Sequence, residues 1–181
     1  MAEGAYIGAF NVFRSCRRVA LGPGAEIGNF IWIGAGPEYQ LHHPEAGTLI
    51  MGENAAMTGK HYIDCSGLVE LEPYAVIGGH GSVVQSHGHD LYGGVMTAGK
   101  IVLGHHSLLT TRCVVLQDAY LPPQSVLAAG GVLTPPKADE TLEPNGLFAG
   151  IPAKRVRDLQ AEGYFVRVVR DLRVGRVDSL D

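Results

Sequence analysis

Residues 103–133 read LGHHSLLTTRCVVLQDAYLPPQSVLAAGGVL, and a large aliphatic residue recurs at every sixth position of this stretch. A small residue stands four positions after each of the first five. A period of six matches neither an α-helix, with about 3.6 residues per turn, nor the two-residue alternation of a strand. It is typical of a solenoid of short strands, with aliphatic side chains stacked inside and small residues at tight corners. The two series are Leu103, Leu109, Val115, Leu121, Leu127 and Leu133, and Ser107, Cys113, Ala119, Ser125 and Gly131.

The same spacing appears earlier in LGPGAE (21–26), IGNFIW (27–32) and MGENAA (51–56), where an aliphatic residue or methionine precedes glycine. At these residues the chain resembles the hexapeptide-repeat acyltransferase family, and the resemblance extends over about residues 20–150. It implies an all-β solenoid, namely a left-handed parallel β-helix of triangular section. It also implies a homotrimer whose active sites lie between neighbouring solenoids.

Three segments interrupt the repeat, at 36–47, 90–100 and 135–146. Each contains glycine or proline and is expected to leave the solenoid as a loop at a corner. Helical spacing of apolar residues in the C-terminal part predicts an α-helix there. The chain is therefore expected to divide into a β-helix acyltransferase domain over 1–152 and a helical extension over 153–181. The residues in helical spacing are Ala153–Leu159, Phe165, Val168, Val169 and Leu172.

Composition excludes several classes of protein. The net charge of −4 argues against a general nucleic-acid binder, which is usually strongly basic. No apolar run approaches the roughly 18 residues that a membrane span needs, and the N-terminus does not resemble a secretion signal. The three cysteines are an odd number without a CxxC pair, which favours buried thiols in a cytoplasmic protein. Cys113, at a small-residue corner, is expected to be structural.

Histidine is the most informative polar residue. Five of the eight histidines lie within 80–106, around the 90–100 segment. The stretch Ser86-His87-Gly88-His89-Asp90 resembles the catalytic element of acetyl-CoA-dependent sugar and polysaccharide O-acetyltransferases, and so does HYIDCSG (61–67). The resemblance implies that either His87 or His89 is the general base. Asp90 either orients an imidazole or caps the loop.

The reaction that this resemblance implies is direct transfer of an acetyl group from acetyl-CoA to a hydroxyl of a sugar or related small molecule. The histidine takes the proton of the acceptor hydroxyl while that hydroxyl attacks the thioester. N-acetylation of an amino sugar would use the same base and stays open. Tyr92 and His43, in two of the interrupting segments, are candidates for contact with the acceptor.

The sequence FAGIPAK (148–154) matches the ending of the solenoid in hexapeptide acyltransferases. The match implies that Lys154, with Arg157, approaches the phosphates of coenzyme A, while Pro152 is equally suited to the first turn of a helix. The family also places small residues along the pantetheine arm. Carried over to this chain, these are Thr111, Ala129 and Thr134.

Two other functions remain as alternatives. The γ-carbonic anhydrases share the repeat and bind zinc through one histidine and a distant His-x₄-His pair. Residues 80–106 contain no such pair, so no metal is expected. A solenoid that only scaffolds an assembly is the second alternative.

Half of the 14 cationic residues lie in the last 28 positions, where they form a solvated helical face or contact phosphate; they are Lys154, Arg155, Arg157, Arg167, Arg170, Arg173 and Arg176.

Overall fold

The computed structural model describes residues 1–169 and confirms the solenoid. The chain winds through three sheets, and within each sheet successive turns of the solenoid pair in parallel. These sheets are consistent with a left-handed β-helix. We call them sheets I, II and III, in the order in which the chain visits them. Edges I/II, II/III and III/I are the corners where the chain passes from one sheet to the next.

Most strands are only two to four residues long, as the six-residue period predicts. Sheet I contains β1 (Tyr6–Ile7), β4 (Glu26–Asn29), β7 (Ala56–Gly59), β10 (Val76–Ile77), β15 (Leu108–Leu109), β18 (Val126–Leu127), β20 (Gly146–Gly150) and β21 (Ala153–Asp158). Sheet II contains β2 (Val12–Arg14), β5 (Trp32–Gly34), β8 (Tyr62–Asp64), β11 (Val83–Gln85), β16 (Val114–Val115) and β19 (Val132–Leu133). Sheet III contains β3 (Arg18–Leu21), β6 (Thr48–Met51), β9 (Leu68–Leu71), β14 (Lys100–Leu103) and β17 (Tyr120–Leu121).

The core is a set of columns of aliphatic side chains along the solenoid axis. Ile27 pairs with Met57 and Met57 pairs with Ile77, and all three side chains are fully buried. Leu109 pairs with Leu127, eighteen positions later, which is three repeats of six residues. Each turn therefore buries the same face against its neighbours, and the hydrophobic effect stabilises the stack turn by turn.

The three interruptions leave the solenoid at the ends of sheet II strands. The segment 36–47 forms a loop containing a 3-10 helix, Pro37–Leu41. The second excursion is not a plain loop over 90–100 but an antiparallel hairpin of β12 (His87–Asp90) and β13 (Val95–Ala98). The third is irregular between β19 and β20. Corners tolerate such insertions because the strands on either side keep their register.

The expected C-terminal α-helix is wrong for the part of the extension that the structure describes. Residues 153–158 form β21, which pairs antiparallel with β20, and Gly163–Val166 is a 3-10 helix. The last strand of a sheet presents unpaired backbone groups, and β21 satisfies those of β20. The predicted positions at 170–181 lie outside the described residues. In residues 1–169 no helix combines the length and apolar character needed to cross a membrane.

Candidate active site

His87 and Asp64 form a hydrogen-bonded pair at edge II/III. Asp64 ends β8, and His87 begins the hairpin one turn later, since Ile63 and Val84 are in register. The Nδ1 atom of His87 lies 2.8 Å from Oδ2 of Asp64. The carboxylate is 6% exposed, whereas the imidazole is 31% exposed. The pair therefore consists of a buried anion and a histidine that reaches the surface.

The surroundings of Asp64 define which nitrogen of His87 carries the proton. Its carboxylate accepts the backbone N–H of Ser86 at 2.9 Å and the hydroxyl of Ser66 at 2.5 Å. An ionised carboxylate can only accept hydrogen bonds. Nδ1 of His87 is then the donor to Asp64, which leaves Nε2 of the neutral ring with a lone pair. This tautomer is the one that a general base requires.

The carboxylate of Asp90 is hydrogen-bonded to the backbone of the hairpin turn. Its Oδ1 accepts the backbone N–H groups of Tyr92 at 3.0 Å and Gly93 at 2.9 Å. It caps the turn of the hairpin, which is the second of the two roles expected for it. The carboxylate at the imidazole is Asp64, which sequence reasoning did not select. The signal was present, because Asp64 lies within the HYIDCSG stretch that resembles the acetyltransferases.

A cavity of about 410 Å³ opens beside His87. The loop contributes Tyr39 to its wall, the hairpin contributes Met96, and sheet II contributes Trp32 and Tyr62. The ring of Tyr39 is 5.6 Å from that of His87 between centroids. Burial raises the pKa of the Tyr39 phenol, with a further contribution from nearby carboxylates, so the phenol stays neutral. The cavity thus combines aromatic and polar side chains around one oriented imidazole.

Arg17 holds the loop that carries Tyr39. Its guanidinium donates to the carbonyl oxygens of Gln40 and Pro44, both at 2.6 Å. Tyr39 itself is 6% exposed. This wall of the cavity is therefore fixed by hydrogen bonds from the first turn of the solenoid.

The second candidate base, His89, lines the same cavity. Its ring lies 6.5 Å from that of His87 in an edge-on arrangement, and the residue is exposed. Of the two histidines, His87 is the one whose ring is hydrogen-bonded to a carboxylate, that of Asp64. His43 lines an adjoining cavity of about 410 Å³ with Tyr39, whereas Tyr92 is fully exposed at the hairpin tip.

The remaining histidines of the 80–106 stretch lie at other edges. His80 lies at edge I/II, while His105 and His106 lie at edge III/I, and His106 stacks on Tyr74. No three histidine, cysteine or carboxylate side chains within residues 1–169 are grouped so that they could hold a metal ion. Closeness in sequence therefore does not make these five histidines one cluster.

His61 and Cys113 are structural. The Nδ1 atom of His61 accepts the backbone N–H of Ser82 at 3.2 Å, and burial lowers the pKa of this imidazole to about 4. The ring is therefore neutral and bridges adjacent turns. Burial raises the pKa of the Cys113 thiol, which makes a thiolate nucleophile unfavourable there.

A larger cavity, of about 690 Å³, lies at the C-terminal end of the solenoid. Thr134 and Lys154 line it together, as does Lys137, which sequence reasoning missed because the 135–146 segment carries no repeat. Arg157 does not line it, and Arg155 beside Lys154 is bonded to the carbonyl of Glu143 at 2.7 Å. Two of the predicted coenzyme residues are thus brought together.

One residue of each cavity, His87 and Thr134, lies at edge II/III. His87 follows Val84, and Thr134 follows Leu133, with Val115 in register between them. The two sites are therefore two turns apart, or about 10 Å along the axis at the usual spacing of strands. Thr111 and Ala129 stack on successive turns at edge I/II instead, on the other side of sheet II. Within one chain, Thr111 and Ala129 do not line the cavity that contains Lys154.

No protein-family model matches the chain, and no curated protein does. Solved structures do match. AntD, an N-acyltransferase from Bacillus cereus in complex with dTDP and 3-hydroxybutyryl-CoA, aligns with a TM-score of 0.67 and 11% identity over 88% of this chain and 85% of that one. A variant of AntD in complex with dTDP-4-amino-4,6-dideoxyglucose and coenzyme A gives 0.67 and 11% over 87% and 85%.

PerB from Caulobacter crescentus, in complex with CoA and GDP-perosamine, aligns with a TM-score of 0.54 and 20% identity. The alignment covers 81% of this chain and 53% of PerB, so the chain spans about half the length of that protein. At such identities the likeness concerns the fold. The chain shares the fold of these two acyltransferases, and its three parallel sheets are consistent with a left-handed β-helix.

Proposed function

We propose that the chain is an acyl-CoA-dependent acyltransferase that modifies a sugar. The observation that supports it best is the His87–Asp64 pair, whose imidazole is oriented by a buried carboxylate and faces a cavity beside two excursions. General-base catalysis requires an imidazole with its lone pair directed at the substrate. The fold adds independent support, since AntD and PerB are solved with coenzyme A or an acyl-CoA bound.

The reaction follows from this tautomer. The acceptor nitrogen or oxygen attacks the acyl carbon of the thioester, and Nε2 of His87 takes the proton that the acceptor loses. The carbon–sulfur bond then breaks, and the protonated imidazole returns that proton to the thiolate of coenzyme A. Asp64 stabilises the imidazolium in between, because its carboxylate already receives Nδ1–H at 2.8 Å. A covalent enzyme intermediate is not required.

Coenzyme A fits along edge II/III. Its thioester would lie at His87, and its phosphates two turns away, where Lys154 and Lys137 provide cations beside Thr134. Acetyl and longer chains such as 3-hydroxybutyryl are both candidates, since AntD is solved with the latter.

A homotrimer would bring together the candidate coenzyme-binding residues that lie apart in a single chain. The outer face of sheet II is apolar in its later turns, where half-buried Val83, Val114 and Val132 are in register. Burying this face between copies would set edge I/II of one chain near edge II/III of the next. Thr111 and Ala129 would then approach coenzyme A across the subunit boundary.

The acceptor that the comparisons favour is the amino group of a nucleotide-linked amino sugar. The AntD variant is in complex with dTDP-4-amino-4,6-dideoxyglucose and PerB with GDP-perosamine. N-acylation therefore replaces O-acetylation as the first expectation. A sugar hydroxyl is the second candidate, and the Ser86–Asp90 stretch supports it through its resemblance to O-acetyltransferases.

The test measures thiol release from acetyl-CoA and 3-hydroxybutyryl-CoA with two panels of acceptors, amino sugars and hydroxylated sugars, each free and nucleotide-linked. We expect acceptor-dependent release that His87→Asn abolishes. A thermal-shift titration with acyl-CoA, and with zinc plus chelator as control, runs alongside. Absence of both acyl-CoA binding and thiol release would reject the proposal, and a shift with zinc alone would favour the carbonic-anhydrase-like alternative.

A further inference from the structure

A row of three positions across sheet II, which we call the lane, joins Arg14 to the catalytic pair. Arg14 is in register with Gly34, and Gly34 is in register with Asp64. A Cβ atom at position 34 would lie 3.0 Å from Nε1 of Trp32. The indole of Trp32 therefore lies over Gly34, which is buried, and Arg14 is two strand spacings, about 10 Å, from the carboxylate behind the base.

Two hydrogen-bond donors flank this lane. The guanidinium of Arg14 and the indole N–H of Trp32 both line the 410 Å³ cavity. Among the described residues neither side chain has a hydrogen-bond or ion-pair partner. Arg17, the nearest other arginine in sequence at this edge, is already bonded to loop carbonyls. Arg14 is therefore the cation that the cavity offers to a ligand.

The lane also has an aromatic side. Trp32 is 38% exposed and its ring is nearly parallel to that of Tyr62, with 12° between the planes. An exposed indole face suits the apolar face of a sugar ring, since burying apolar surface against it is favourable. Glu38 lines the loop side of the cavity and does not form an ion pair with Arg14. The cavity thus has hydrogen-bond donors at the end formed by Arg14 and Trp32, and a carboxylate acceptor, Glu38, on the loop side.

We propose that Arg14 and Trp32 determine acceptor specificity by binding an anionic group of the acceptor. The inference rests on the proposed acyl transfer and adds the class of acceptor: a sugar with a phosphate or carboxylate at the end opposite to its reacting amine or hydroxyl. The reacting group lies at Nε2 of His87, the ring lies against Trp32, and the anion meets Arg14. Guanidinium forms paired hydrogen bonds with both kinds of anion.

Steady-state kinetics with matched acceptors test this assignment. The same amino sugar is supplied as the neutral methyl glycoside, as the 1-phosphate and as the nucleoside diphosphate conjugate, and a uronic acid analogue separates carboxylate from phosphate. We expect Arg14→Gln to lower kcat/KM for the anionic acceptor by about 10- to 100-fold, mainly through KM, because a charged hydrogen bond is lost. The neutral glycoside and the KM of acyl-CoA should stay within about twofold of wild type.

Arg18→Gln is the matched control, since Arg18 lies on the same first turn but outside the cavity. Trp32→Phe keeps an aromatic face and removes the N–H, so a smaller loss confined to anionic acceptors is expected. An equal loss for neutral and anionic acceptors would overturn the proposal. A change in oligomeric state in Arg14→Gln, measured by light scattering, would also overturn it and assign Arg14 to a subunit contact.

Binding separates this inference from the proposed function. Thermal-shift titrations with the nucleoside diphosphate sugar and with the uronic acid need no turnover. A shift seen with wild type and Arg18→Gln but lost in Arg14→Gln supports the anion site even if no acyl transfer is found. No shift with any anionic sugar, in a protein that releases thiol from acyl-CoA with a neutral acceptor, refutes the site and leaves the acyltransferase standing.

Discussion

Replacing Asp64 by asparagine tests the catalytic pair most directly. The side chain keeps its shape but loses its charge. The Ser66 hydroxyl and, at 3.2 Å, the Ser66 backbone N–H donate to one carboxylate oxygen, while Ser86 and the His87 ring share the other. Because the hydroxyl can turn and accept, and the Ser66 N–H contact is longer than that of the Ser86 N–H at 2.9 Å, the new amide N–H₂ is expected to face Ser66. The amide oxygen then still accepts from Nδ1 of His87, and the tautomer is preserved.

What the variant loses is the anion that stabilises the imidazolium. Hydrogen bonds to a charged group contribute about 1.5–3 kcal/mol, against about 0.5–1.5 kcal/mol for neutral pairs. The difference is roughly 1–1.5 kcal/mol in a transition state that carries the imidazolium, or about tenfold in rate. We expect kcat of Asp64→Asn to fall about tenfold, with the KM of acyl-CoA unchanged.

Asp64→Ala has a second effect. It leaves the Ser86 N–H and the Ser66 hydroxyl buried without an acceptor, and each such group costs about 1–3 kcal/mol. This variant should therefore lose stability as well as activity. Thermal unfolding of both variants shows whether a loss of rate comes from misfolding.

The assay is steady-state thiol release with acyl-CoA varied up to saturation, and Asp90→Asn is the matched control. Asparagine at position 90 retains the oxygen that caps the hairpin turn, so this variant should keep near-wild-type activity. If Asp64→Asn keeps its rate within twofold, or if Asp90→Asn loses as much, the assignment of Asp64 is refuted.

Three further predictions concern other residues. His87→Ala should lower turnover by at least about 100-fold while coenzyme A binding, measured by calorimetry, survives; unchanged turnover would transfer the role to His89. Lys154→Ala should weaken coenzyme A more than dephospho-coenzyme A in the same calorimeter, and equal losses would show that Lys154 does not hold the terminal phosphate. The pKa of His61 is about 4 in the folded protein, against the ordinary value of 6.5 in the unfolded chain. As the pH falls, the unfolded chain therefore takes up the proton first. The free energy of unfolding should therefore fall by up to about 3 kcal/mol as pH drops from 7 to 4, by urea titration, and His61→Asn should flatten this dependence.

The sequence predicts the repeating part of the fold well because each turn obeys the same packing rule. Leu109 and Leu127 face the same interior one turn apart, so their spacing follows from the geometry of the solenoid. The segment 153–158 has no such constraint. Its six residues, with apolar positions in helical spacing, also suit an edge strand, and the open backbone of β20 selects the strand.

The site is predicted less completely, for a physical reason. His87 stands out as an unusual residue in the repeat, whereas its carboxylate partner comes from the previous turn. Asp90 is near in sequence and turns into the hairpin; Asp64 is 23 positions away and lies 2.8 Å from the ring. The pairing of turns, with excursions of different lengths between them, must be known before Asp64 can be chosen. Arg14 and Gly34 depend on the same register.

The position of the three excursions has a consequence for how such a chain diversifies. All three leave from the ends of sheet II strands, and the strands on either side stay in register across them. Loop 36–47 and the part of the hairpin beyond His87 are thus modules that can vary while the register of the frame is kept, and His87 belongs to the frame. Lineages that exchange these two modules would inherit a new acceptor while keeping the same acyl donor. Grafting both modules between solenoids of this type is then a route to enzymes with chosen sugar selectivity.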